Sequence, residues 1–136
     1  MKTNLQAIWQ TIELSKLPAI GRLLEKLTTF EYVGKISHMK AKLLVKHRVE
    51  VSAHAFAELV IWQLAAPLAG SSHTFKYRLA YVVSGRCVLR YDNEAGKGDH
   101  RHWGPTETSY PFSTPRQLMA DFFDDIQRYK HEHPDD

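Results

Sequence analysis

"TFKYRLAYVVSGRCVLRYDN", residues 74–93, is the stretch that decides how this chain folds. Two runs of alternating apolar and charged residues flank Val83-Ser84-Gly85, and a period of two marks a strand with one face buried. The pair predicts an antiparallel hairpin. A three-residue loop with Gly85 in the left-handed position sets Tyr77, Leu79 and Tyr81 on one face with Cys87, Leu89 and Tyr91. A two-residue loop would mix apolar and charged faces, which burial of one face disfavours. The opposite face then carries Lys76, Arg78, Arg90 and Asp92, with Arg78 and Arg90 close enough across the strands to invite an anion between them.

Working upstream, residues 42–51 alternate as well. Leu43, Val45, His47, Val49 and Val51 share one face, and Lys42, Lys46, Arg48 and Glu50 the other. "FAELVIWQLA", 56–65, is apolar on both parities and reads as a more deeply buried strand, ended by Pro67 and Gly70. Residues 4–30 predict two helices, with stripes of Leu5, Ile8, Trp9 and Ile12, then Ile20, Leu23, Leu24 and Leu27; Pro18 opens the second. Downstream, "STPRQLMADFFDDIQRY" offers Thr114 as N-cap, Pro115 at the first helical position and a buried stripe of Leu118, Met119, Phe122, Phe123 and Ile126. "KHEHPDD" reads as a tail in which His131 and His133 carry no structural role. The expected fold class is α+β: an N-terminal helix pair, a four-stranded antiparallel meander, a polar loop, and a C-terminal helix packed on the sheet.

Composition bounds the function. The chain has 136 residues, 43% hydrophobic and 24% charged, which fits one globular domain with a modest core. No apolar run approaches the roughly 20 residues of a membrane span, and no signal peptide is evident, so no membrane partner and a cytoplasmic location are expected. The single cysteine, Cys87, leaves no internal disulfide and suits a reducing compartment. Charge is uneven. From Met39 to Gly104 ten Lys/Arg stand against five Asp/Glu, and from Pro105 onward three stand against seven. A basic middle beside an acidic end suggests a surface for a polyanion, although ordinary solvated faces share this composition.

The chemistry concentrates in "YDNEAGKGDHRHWG", residues 91–104, and three readings compete there. Asp99, His100 and His102 offer oxygen and nitrogen ligands to a borderline metal ion, though a closed site wants four ligands and Cys87 should face the core. Alternatively, a histidine shuttles protons while arginines stabilise developing negative charge, which is the equipment for cutting an RNA phosphodiester without metal. Gly96 and Gly98 would then let the backbone approach a phosphate. In the third reading Asp92-Asn93 simply begins a turn, the glycines finish it, and the histidines are exposed.

"ELVIWQL" (58–64), "FKYRLAYV" (75–82), "RYDNEAGKGDHRH" (90–102), "YPF" (110–112) and "QLMADFFDDI" (117–126) together resemble the TumE family of toxins, over about Met39 to Tyr129. The resemblance implies the toxin of a type II toxin–antitoxin system, partnered by a helix-turn-helix antitoxin of the TumA kind and directed against translation, often by RNA cleavage. A sheet with a basic face toward RNA, as in ribonucleases of the RelE–barnase style, is a fold-level analogy. Family members tend to begin near "MKAKLL", here Met39 to Leu44. Residues 1–38 are therefore expected to be an added helical extension or an untranslated upstream stretch, with a toxin domain over 39–130 and a tail at 131–136.

The expected site follows from both lines. His100 is the candidate general base or acid and His102 its partner, with Arg78 and Arg90 as phosphate clamp. Lys76, Lys97, Arg101, Tyr91 and Asn93 would bind substrate, and Asp92 and Asp99 would orient arginine or histidine. RNA is the expected substrate; no cofactor and no metal is expected, and a homodimer is left open. The alternative is a non-catalytic module that binds RNA or a protein partner, followed by a metal-dependent nuclease using Asp99, His100 and His102.

Overall fold

The computed structural model describes residues 32–36 and 39–136, with side chains from residue 41 onward. The helix pair read over 4–30 lies outside the described residues. The described chain forms one antiparallel sheet of seven strands in sequence order: β1 (Tyr32–Ile36), β2 (Met39–Ser52), β3 (Ala55–Leu64), β4 (Phe75–Val83), β5 (Arg86–Glu94), β6 (Gly98–Trp103) and β7 (Thr106–Ser109). A single described helix follows, α1 (Pro115–Glu132). The fold class expected from sequence, with four strands and a polar loop, is corrected by this topology. Residues 98–103 alternate too, but Trp103 is their one large apolar side chain, so a hydrophobic period of two had almost nothing to act on. Residues 32–36, read as part of a helical extension, pair with β2 from Tyr32↔Leu43 to Ile36↔Met39.

The hairpin closes differently from its sequence reading. Val83 pairs with Arg86, leaving a two-residue Ser84-Gly85 turn with φ of 47° and 77°. Both positive values match the turn that suits the twist of flanking strands. The faces are not mixed, because the register shifts at Tyr81/Val82 and places Val88 as an extra residue in β5. Leu79 and Tyr81 thereby regain Tyr91 and Leu89 as partners. Cys87 pairs with Val82 and is exposed rather than turned to the core. A second irregularity, between Leu43 and Val45, sets Leu43 opposite Trp62, while Val45 pairs with Ile61 on the core side.

The core lies between the sheet and α1. Leu59, Ile61, Tyr77, Leu79, Leu89 and Tyr91 meet Leu118, Met119, Phe122 and Ile126, all fully buried. Each large side chain withdrawn from water here contributes about 1.5–3 kcal/mol. As far as Trp62, β3 is buried on one face: Ala55, Ala57, Leu59 and Ile61 are buried, and Phe56, Glu58, Val60 and Trp62 are partly exposed; Leu64, at its end, is buried on the second face. Thr114 caps α1, its side chain accepting from the Gln117 N–H at 3.1 Å, with Pro115 following. The residues after the helix are tied down. His133 stacks on Tyr129 at 4.1 Å between ring centres, and the Tyr129 hydroxyl donates to Asp136 at 2.7 Å.

Candidate functional site

α1 covers one face of the sheet, and no described element covers the other. Cross-strand register arranges the open face in rows. One row runs Lys46, Val60, Arg78, Asp92, His100, Ser109 from β2 to β7. The adjacent row runs Arg48, Glu58, Ala80, Arg90, His102, Glu107. A third, shorter row holds Leu43, Trp62 and Lys76. Alternation along each strand thus delivers Arg78, Arg90, Asp92, His100 and His102 to a common surface.

The centre of this surface is a charge cluster. Arg90 Nε lies 3.0 Å from Asp92 Oδ2, outside hydrogen-bonding geometry, so the pairing is electrostatic. Asp92 Oδ1 is 3.3 Å from His102 Nε2, and an Arg90 amino group is 3.1 Å from the same nitrogen. Glu107, from β7, lies 3.7 Å from both His102 Nδ1 and His100 Nε2. Four titratable side chains and one arginine therefore form a connected array on three adjacent strands. Arg78 is exposed on the central strand and, among the described residues, has no ion-pair partner. Lys76 donates to the backbone oxygen of Asn93.

The remaining sequence candidates lie elsewhere. Tyr91 is buried, its hydroxyl donating to Asp125 Oδ2 at 2.6 Å; Arg101 reaches the same oxygen at 3.3 Å. Together they fasten α1 to β5 and β6. Asn93 is buried and completes the sheet where the β4–β5 ladder ends. Its side chain accepts from the Tyr77 N–H at 3.0 Å and donates to the Phe75 oxygen at 2.7 Å. Lys97 is exposed in the β5–β6 turn. The glycines of that turn approach another backbone rather than the cluster. The Gly96 N–H donates to the Ala69 oxygen at 2.6 Å, and a Cβ on Gly70 would lie 3.5 Å from Gly96.

Asp99 points to the helix side. It accepts from the Tyr77 hydroxyl at 2.8 Å and meets His73 Nε2 at 2.8 Å. His73 Nδ1 accepts from the Phe75 N–H at 3.1 Å, which assigns the ring proton in that pair to Nε2. The ring stacks on Phe112 at 3.9 Å. Burial first, then the Asp99 carboxylate, hold the Tyr77 hydroxyl far above the ordinary tyrosine range, so it stays a donor. Sequence reading did not single out His73 or Glu107. Glu107 had one signal, its place three residues past Gly104, where a hairpin would return it beside His102.

A profile of the TumE family, described as toxin TumE, matches residues 22–130. The chain belongs to the TumE toxin family. No curated protein and no solved structure matches it. The TumE match extends upstream of Met39, through β1 and into residues before it. In this TumE chain the metal set suggested by sequence is divided, with Asp99 on the helix side and His100 and His102 on the open face. Among the described residues no group of three or more metal-binding side chains is assembled, and no helix is long and apolar enough to cross a membrane.

Proposed function

We propose that this toxin inhibits translation in the cytoplasm by cutting RNA on the open face of its sheet, without a metal ion. His102, backed by Asp92 and Glu107, takes the proton of a ribose 2′-hydroxyl. The freed oxygen attacks the adjacent phosphorus, the bond to the 5′-oxygen breaks, and His100 donates a proton to that leaving oxygen. The products are a 2′,3′-cyclic phosphate and a 5′-hydroxyl end. Arg78 and Arg90 balance the charge gathering on the phosphoryl oxygens. A helix-turn-helix antitoxin is the proposed partner, masking this face through complementary acidic groups.

The observation that supports this reading is the pair of adjacent rows bringing two histidines and two arginines together on a face that no described element covers. The test is incubation of purified protein with RNA in excess chelator, followed by analysis of the ends. Cyclic phosphate and 5′-hydroxyl termini are expected, with loss of about 10²–10⁴ in rate when His100 or His102 becomes Ala. Cleavage that stops with chelator and returns with one added metal overturns it. So does growth arrest that persists unchanged in the double His→Ala chain.

A further inference from the structure

β3 carries apolar side chains on the face that α1 does not cover, and one of them has no ring or polar partner among the described residues. Phe56 lies beneath the Arg48 guanidinium, 4.0 Å from ring centre to carbon. Trp62, further along the same face, is partly exposed and makes no ring, cation or hydrogen-bond contact among the described residues. Its cross-strand neighbours are Leu43 and Lys76, and Arg78 sits diagonally across from it on β4. Lys46 and Arg78 flank the intervening Val60 from either side, both exposed and, among the described residues, both without an ion-pair partner. A partly exposed indole beside exposed cations is poorly suited to water and well suited to a flat, anionic ligand.

We propose that Trp62 is a base-stacking subsite for single-stranded RNA, with the neighbouring phosphate held by Arg78 and Lys46. This inference rests on the RNA reading of the same face and names the form of RNA it accepts. A paired base is already stacked in its duplex and cannot lie on the indole without being freed, so the subsite selects unpaired strands. Three inter-strand spacings, about 14 Å across the sheet, and a further offset along the strands separate Trp62 on β3 from His100 and His102 on β6. The stacked base therefore lies away from the scissile phosphate and acts on affinity and on where the cut falls.

The experiment uses the full chain with His100→Ala and His102→Ala, so that RNA stays intact, and a fluorescein-labelled 12-nucleotide RNA followed by anisotropy. Trp62→Ala should weaken single-strand binding about 10-fold, in line with base–aromatic stacking, while Trp62→Phe keeps most of the affinity. Without any change at position 62, the same strand annealed to its complement should bind more weakly than the single strand, a comparison independent of how Trp62→Ala folds. Equal binding of single strand and duplex, or unchanged affinity when Trp62→Ala is added to a chain that remains folded, overturns the stacking subsite and leaves the proposed function intact. No RNA binding by the parent chain overturns both. Loss of antitoxin binding with RNA binding unchanged would reassign the surface to a protein partner.

Discussion

Arg90 and His102 are cross-strand partners, and the arginine's amino group lies 3.1 Å from His102 Nε2. Guanidinium has only donors, so in this contact the imidazole nitrogen accepts and the ring proton sits on Nδ1, toward Glu107. A proton on Nε2 would instead point to Asp92 and forfeit the arginine contact. Arg90 thus favours the tautomer protonated on Nδ1, and Nε2 can take a proton only once the guanidinium turns from it to a phosphate. Arg90→Ala should lower single-turnover RNA cleavage about 10²–10³-fold. Arg90→Lys keeps the charge but not the planar fork, and should recover only part of that loss.

Asn93 should prove structural. Its amide stands in for a strand partner, satisfying the Tyr77 N–H and the Phe75 oxygen inside a buried site. Asn93→Leu removes both bonds and leaves two backbone groups unpaired, so urea unfolding should show a loss of about 2–4 kcal/mol. A folded variant of native stability with weakened RNA binding would restore the substrate role suggested by sequence.

How much of this was legible in the sequence depended on whether a residue's neighbours were apolar. Alternation separated Tyr77, Leu79, Leu89 and Tyr91 from Arg78, Arg90 and Asp92, because burial of one face leaves a strong periodic mark. The same alternation in 98–103 sets Asp99 and Arg101 against His100 and His102, but with polar residues on both sides it left no hydrophobic signature. Asp99, Arg101, Tyr91 and Asn93 consequently read as parts of the cluster, though their side chains serve the helix side. Glu107 and His73 act through hairpin return and loop closure, and no local spacing announces either.

Alkaline unfolding should be abrupt. Burial, reinforced by hydrogen-bonded carboxylates, holds the Tyr77, Tyr91 and Tyr110 hydroxyls above their ordinary range, and Tyr129 is pushed up to about 12. The folded state therefore keeps protons that the unfolded chain gives up near pH 10. That contribution to stability is complete below pH 10 and is lost as pH rises above it. Tyrosinate absorbance should appear together with the loss of circular dichroism, in one step, rather than as a gradual rise near pH 10.

The hairpin tip can be improved. Ser84 holds a φ of 47°, a conformation that non-glycine residues adopt at some cost and that asparagine tolerates better. Ser84→Asn should raise stability by about 0.5–1 kcal/mol, seen as a higher thermal midpoint, with RNA cleavage unchanged. A lower midpoint would mean that the turn is not the strained one described.

The sheet lists its strands in the order in which the chain lays them down, with no crossover. Each strand after the first meets its partner across a connection of at most ten residues, so no long-range loop must close before pairing begins. For a protein built mainly of β-structure this is a route to fast assembly, since the entropic cost of bringing distant segments together sets the pace of most such folds. A toxin of this design, unfolded and released, regains its working surface by simple zippering from one hairpin to the next.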